Sequence, residues 1–235
     1  MRQIILDTET TGLDPRQGHR VIEIAAVEMQ NRRLTGNHFH RYLNPDRDIE
    51  EGALQVHGIT REFLQDKPRF ADVAAEFLEF VQGAELVIHN APFDTAFLNA
   101  ELALHGMNTL QTYTGEVIDT LLMARNLHPG QRNSLDALCK RYGVDNSTRT
   151  LHGALLDCEL LAQVYLSMTR GQETLVMDSA AAAGSLVRPG GLNKQRVRPL
   201  AAEIQEQELA AHLDLIKQID KESGGVCLWA QEQPN

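Results

Sequence analysis

Cysteine, tryptophan and positive charge are all scarce in this chain. The three cysteines, Cys139, Cys158 and Cys227, are odd in number, widely spaced and without a C-x-x-C pair. Neither a disulfide framework nor a cysteine-built zinc site follows from them. Cys139 and Cys158 fall in apolar helical patterns, where a buried thiol is expected. Lysine and arginine together number 22 against 32 acidic residues, a formal net charge of −10. A protein that binds long duplex DNA unaided presents a basic face, so that class is disfavoured. An enzyme that grips only a strand end is not excluded, because acids gathered around metal ions bias such a count. Long hydrophobic runs are missing too: no stretch approaches the ~20 apolar residues of a membrane helix. The N-terminal run Met1–Leu6 meets an acid at Asp7 and lacks the apolar core of a signal peptide. A soluble, cytoplasmic protein is expected.

What is present suffices for a sizeable core. The chain has 235 residues, 43% of them hydrophobic, enough for one domain of ordinary size plus an appendage. Ile4–Thr8, Val21–Met29 and His38–Leu43 read as strands, being β-branched or alternating and separated by turn residues. Phe70, Val73, Phe77, Leu78 and Val81 recur at helical spacing. Leu86, Val87 and Ile88 form a short apolar run, as in a strand buried on both faces. A helix follows with Pro92 near its start, and further helices are expected over Val117–Leu127, Ser134–Tyr142 and Ala154–Met168. Three strands and then alternating helices and strands predict a mixed α/β sheet flanked by helices. Composition changes after residue 170. The stretch 171–194, with Ala180–Ala183 and Pro189–Gly191, reads as a flexible linker. The tail 195–235 carries an amphipathic pattern over Ala201–Lys221, with Leu209, Leu213 and Ile216 on one stripe. There are no internal repeats.

Three short stretches carry chemistry. Asp7 and Glu9 flank Thr8 on a strand, so their side chains point the same way. Two carboxylates ~4 Å apart repel by about 4 kcal/mol at an effective dielectric near 20, which calls for a cation between them. Oxygen-only ligands suit Mg²⁺ or Mn²⁺. On the pair alone, two solvated acids at a strand end are the better reading; the following Thr10, Thr11, Gly12 and Leu13 form a tight turn that a nucleotide can approach. The second stretch, His89–Asp94, joins a buried strand to a helix, the edge where α/β sheets commonly bind ligands. Asp94 alone reads equally well as a carboxylate complementing the helix dipole, worth ~0.3–1 kcal/mol. The third, His152–Asp157, sets Asp157 beside an apolar stripe in which Leu156 faces inward, where an unpaired charge is costly. His152 alone reads as an exposed loop histidine. Asp119, Asp136 and Asp145 are explained by helix capping and turns.

Taken together and in this order, Asp7-Thr8-Glu9, Asn90-Ala91-Pro92-Phe93-Asp94 and His152-Gly153-Ala154-Leu155-Leu156-Asp157 resemble the motifs of the DEDDh, or DnaQ-like, 3′→5′ exonucleases. The likeness spans roughly residues 1–170. It implies an RNase H-like fold, two divalent cations (Mg²⁺ or Mn²⁺) held by Asp7, Glu9, Asp94 and Asp157, and His152 as general base. It implies nucleotide contacts from Thr8, Gly12, Leu13, His57, Asn90 and Phe93. For His57 a turn histidine, and for Phe93 a core ring, remain open on the residues themselves. The implied reaction is hydrolysis of the terminal phosphodiester of a DNA strand, releasing nucleoside 5′-monophosphates.

Within the family the tail resembles that of the proofreading subunits of bacterial replicative polymerases. Gln172–Met177 resembles a weak sliding-clamp-binding peptide, although it lacks the usual terminal aromatic. The tail helix and the ending Gly224–Trp229 resemble a segment that binds the polymerase alpha subunit. Trp229, the single tryptophan, is of a type enriched at interface hot spots. A tether would raise the local concentration of nuclease at the primer end without tight intrinsic DNA binding, reconciling the acidic charge with a DNA substrate. An RNA-trimming exonuclease of the same family and a noncatalytic polymerase scaffold are the competing readings.

Overall fold

Side-chain alternation along the first strand, β1 (Arg2–Thr10), divides its residues between two cores. Ile4 and Leu6 enter one and Ile5 enters the other. β1 is thus buried on both faces, which accounts for the unbroken apolar run before Asp7. The computed structural model describes residues 1–147, 149, 151–170 and 206–222.

β1 is the middle strand of a five-stranded sheet of order β3-β2-β1-β4-β5. β2 (Val21–Gln30) pairs antiparallel with β1 and with β3 (Arg33–Tyr42). β4 (Glu85–Ile88) and β5 (Val117–Asp119) run parallel to β1. Two short helices, α1 (Glu51–His57) and α2 (Arg61–Leu64), follow β3; the sequence pattern had not announced them, both being short and largely polar. On one face α3 (Phe70–Val81) and α4 (Ala91–Leu104) bury Phe77, Val81, Phe97 and Leu98 against Ile4, Leu6, Ile24 and Leu86. On the other, α5 (Thr120–Leu127), α6 (Leu135–Tyr142) and α7 (Ala154–Met168) bury Ala124, Leu138, Leu161 and Val164 against Ile5, Ala25 and Val87. Cys139 and Cys158 are free and buried, as their patterns indicate.

Three expectations need correcting. The helix anticipated over Val117–Leu127 begins only at Thr120; Val117, Ile118 and Asp119 pair with Leu86, Val87 and Ile88 as an edge strand. The β-branched pair Val117 and Ile118 favours that pairing, and the Asp119 carboxylate then caps α5 by accepting from the amides of Leu121 and Leu122. In α7, Leu156 is only partly buried, whereas Asp157 and Cys158 are the residues turned inward. Asp145 is a turn residue that accepts from the Ser147 amide; Asp136 lies in the first turn of α6, but Ser134 is the cap and the Asp136 carboxylate instead accepts from Arg149 and Asn146.

The last described element, α8 (Glu206–Glu222), belongs to a separate unit and is described by itself. Leu213, Leu215 and Ile219 are exposed on it. The linker 171–194, including the clamp-like Gln172–Met177, and residues 223–235 with Cys227 and Trp229 lie outside the described residues. Among the described residues no helix is long and apolar enough to cross a membrane.

One ion pair ties β2 to α4. The Arg20 guanidinium donates to both oxygens of buried Glu101, at 2.7 and 2.6 Å, and the Val21 amide also donates to Glu101. Glu101→Ala strands a partly buried guanidinium and a buried amide, so urea unfolding should register a loss of about 2–4 kcal/mol. A loss below about 0.5 kcal/mol would show that the pair contributes no more than an exposed one.

Candidate active site

The carboxyl ends of β1 and β4 lie side by side, and the chain leaves both at the same edge of the sheet. Such an edge gathers loops and helix starts around a crevice. Asp7 and Glu9 share the face of Ile5, towards α7, while Thr8 turns to the opposite face, towards α4. Asp94 is 2% exposed in the first turn of α4, and its Oδ1 accepts from the Thr8 amide at 3.0 Å and the Thr8 hydroxyl at 2.7 Å. α4 can start there because Asn90 adopts a left-handed conformation, φ +69°, which asparagine tolerates better than most residues. Its amide donates to the Asp119 carboxylate. Asp157 is brought in from α7 on the far side of the sheet.

His152 precedes α7 on a segment held at two points. Its amide donates to the Val56 carbonyl of α1 at 3.1 Å, and the amide of Ala154 donates to Glu23 Oε2 at 3.2 Å. The ring remains about half exposed. Ligand atoms of Glu9, His152 and Asp157 lie within 4.8 Å of one another.

The electrostatics of the cluster follow from this crowding. Burial pushes Asp7 well above the usual carboxylate range, and the charges of Asp94, Glu9, Asp157 and Glu23 push it further. Glu9 is driven up to about 8, first by burial and then by Glu23, Asp157 and Asp94, with Arg149 pulling the other way. Asp94 rises to about 7 through burial, opposed by its hydrogen bonds to Thr8. Asp7 lies within electrostatic reach of Asp94, Glu9 and Asp157, and Glu9 within reach of Asp157 and Asp94. His152 is lowered by burial and by Arg149, which favours the neutral ring. An oxygen-rich donor set under this much repulsion suits a hard divalent cation.

Two hollows flank the acids. One, of about 530 Å³, is lined by Asp7, Asn90, Arg125, Asn133, Arg149 and His152. The other, of about 360 Å³, is lined by Glu9, Gly12, Leu13, Val56, His57 and Phe93. Leu13 is exposed there, and Phe93 is half-buried with its ring centre 5.0 Å from that of Phe97. His57 is the last residue of α1; its Nδ1 accepts from the Ile59 amide at 2.9 Å, which leaves the ring proton on the buried Nε2. Gly12 is required for the turn, since a Cβ there would lie 2.3 Å from the His19 ring. Of the residues expected to touch a nucleotide, Gly12, Leu13, His57 and Phe93 therefore share one hollow, and Asn90 lines the other. Thr8 lines neither, its hydroxyl being committed to Asp94.

Two residues of the site were missed in the sequence. Glu23, 1% exposed, sits opposite Glu9 in the β1–β2 register, and its Oε1 is 2.7 Å from His40 Nε2. Its signal was an acid among the apolar residues Val21, Ile22, Ile24 and Ala25. Arg149, in the polar turn before His152, donates to both oxygens of Asp157 at 2.5 and 2.6 Å. Nothing in the spacing marks it.

The raised acids have a consequence for stability. A carboxyl whose folded pKa exceeds its unfolded value binds more protons in the native state, so its stabilisation is complete below about pH 4 and is lost as pH rises through the folded pKa. In EDTA the protein should therefore lose stability between about pH 5 and 8.5 as Asp94 and Glu9 ionise. Added Mg²⁺ should remove most of that loss. Urea midpoints independent of pH across this window would contradict the assigned crowding.

Comparison with known proteins agrees with this geometry. Residues 4–165 match the family model described as Exonuclease. DNA polymerase III subunit epsilon of Pasteurella multocida (strain Pm70) is 50% identical over 97% of this chain and 93% of its own length. The epsilon subunit of Escherichia coli (strain K12) is also 50% identical, over 97% of each chain. Among solved structures, exonuclease X in complex with 5′ overhanging duplex DNA is 31% identical, covers 72% of this chain and 92% of its own, and superposes with a TM-score of 0.57. With an RNase H-like sheet and these relatives, the chain belongs to the exonuclease family, among the DNA polymerase III epsilon subunits, and is a 3′→5′ exonuclease of the proofreading kind.

Proposed function

We propose that Asp7, Glu9, Asp94 and Asp157 hold two divalent cations, Mg²⁺ or Mn²⁺, and that His152 is the general base for water attack on the terminal phosphodiester of a DNA strand. The observation that carries this reading is the convergence of ligand atoms of Glu9, His152 and Asp157 within 4.8 Å of one another, with buried Asp94 close enough to raise both Asp7 and Glu9. Acids of like charge kept this close and out of water need a cation to remain ionised near neutral pH. The family is divalent-metal dependent. When bound, the cations would neutralise the carboxylates and offset charge developing on the phosphate and the departing 3′ oxygen.

The chain's own groups supply the rest. A neutral His152 can accept the proton of the attacking water, a contribution typically of ~10²–10⁴-fold. Its place is set by the Val56 carbonyl and by Glu23 at the start of α7. Water is the nucleophile, so the product leaves as a nucleoside 5′-monophosphate without a covalent enzyme intermediate. The hollow beside Glu9 is where Gly12, Leu13, His57 and Phe93 would receive the terminal nucleotide, with Phe93 offering a stacking face worth about 1–3 kcal/mol per base. Thr8 would act through Asp94, and Asn90 would meet the strand on the Asp7 side.

The organisation we infer is a nuclease domain over 1–170, a linker over 171–194 and a polymerase-binding tail over 195–235, acting in the cytoplasm. The partner is DNA polymerase III, reached through the tail at its alpha subunit; exposed Leu213, Leu215 and Ile219 on α8 support an apolar contact. Contact of Gln172–Met177 with the sliding clamp is part of the same proposal. A polymerase partner favours DNA over RNA as substrate.

Two experiments test this. Asp7→Ala should abolish Mg²⁺-dependent release of mononucleotides from end-labelled DNA with a mismatched 3′ terminus. Unchanged release would remove the assignment, and faster trimming of a matched RNA end by the wild type would move the substrate to RNA. Deletion of every residue after Arg170 should leave hydrolysis intact and abolish co-elution with the alpha subunit; persistent co-elution would assign binding to the nuclease domain.

A further inference from the structure

Arg149 is buried inside the acidic centre, its side chain 5% exposed. Its Nε and Nη2 donate to the two oxygens of Asp157 at 2.5 and 2.6 Å, a bidentate fork. Its Nη1 donates to Asp136 Oδ1 at 2.7 Å, on the exposed first turn of α6. Its Nη2 also lies 2.9 Å from His152 Nδ1. A guanidinium has donors and no acceptor, so this last contact fixes Nδ1 as the acceptor and puts the ring proton on Nε2. One side chain thereby engages both oxygens of a carboxylate proposed to bind metal and the free lone pair of the proposed base.

The surroundings explain why it settles there. Glu9 and Asp157 contribute two of the ligand atoms that converge with His152, and Arg149 is the positive charge that draws Glu9 back towards ionisation. The clustered carboxylates call for a counter-charge, and a guanidinium matches carboxylate geometry better than an ammonium does. Asp136 offers a foothold outside the converging ligands, a contact the side chain can keep if it releases Asp157.

We propose that Arg149 is an internal counter-cation that closes the metal-free centre, bridging Asp157 and His152 Nδ1, and that it withdraws from both when a divalent cation is loaded. This rests on the metal assignment made above. With Arg149 so placed, neither His152 Nδ1 nor the Asp157 carboxylate is free. Withdrawal delivers a guanidinium, still tethered to the loop between α6 and α7, to the rim of the groove shared with Asn90 and Arg125.

A role confined to orienting Asp157 predicts the opposite response to mutation, which makes the proposal testable. Mn²⁺ is titrated calorimetrically into full-length wild type, Arg149→Met, Arg149→Lys and Asp7→Ala, with melting temperatures recorded in EDTA and in Mn²⁺. Loss of the competitor in Arg149→Met should tighten Mn²⁺ binding by about tenfold, lower the melting temperature in EDTA and enlarge the rise on adding Mn²⁺. Arg149→Lys, which keeps the charge without the fork, should fall between and serves if Arg149→Met does not fold. Unchanged binding in the Arg149 variants, or binding weakened by roughly 10–100-fold as for a group that orients a ligand, overturns the proposal. Loss of binding in Asp7→Ala alongside unchanged Arg149 variants would leave the metal assignment standing and defeat only this inference. Loss in neither would defeat both.

Discussion

Like charges packed together out of water repel, and every other feature of this site answers to that repulsion. Two fully ionised carboxylates ~4 Å apart would repel by about 4 kcal/mol at an effective dielectric near 20. Asp7, Glu9, Asp94, Asp157 and Glu23 share one region, and each is answered differently. Asp94 receives two hydrogen bonds from Thr8. Asp157 receives a guanidinium, and Glu23 receives His40 and the amide at the start of α7. Burial and the neighbouring charges push Asp7 and Glu9 upward. The centre is therefore incomplete without positive charge, and the fold around it supplies the rigidity that keeps the acids from separating.

That rigidity is ordinary packing. β1 has apolar neighbours on both faces, and Ile4, Ile5 and Leu6, the residues immediately before Asp7, are fully buried. A strand so enclosed cannot shift register by one residue without exchanging its two cores. The positions of Asp7 and Glu9 are thus fixed by the residues preceding them, and the position of Asp94 by the strand they share with Thr8.

Much of this could be read from the sequence, and the reason is periodicity. Apolar spacing located α3, α6, α7 and the buried β4, and the paired acids flanking Thr8 needed only strand alternation. What could not be read depended on partners distant in sequence. The strand character of Val117–Asp119 comes from pairing with Leu86–Ile88, which a short local window cannot register. Glu23 went unmarked in its strand, because its partner His40 and the start of α7 are set by the fold. The commitment of the Thr8 hydroxyl to Asp94 arises likewise from a contact across 86 positions. Arg149 sits in a polar turn with no periodic signal, and its meaning appears only when α7 is docked.

The acids are contributed from opposite sides of the sheet: Asp94 by the layer of α3 and α4, Asp157 by the layer of α5, α6 and α7. Neither layer alone assembles the set. A chain emerging from the ribosome, or one with a single helical layer peeled away, carries at most part of the proposed ligand set. On the proposed assignment, hydrolytic competence therefore waits for the completed globule.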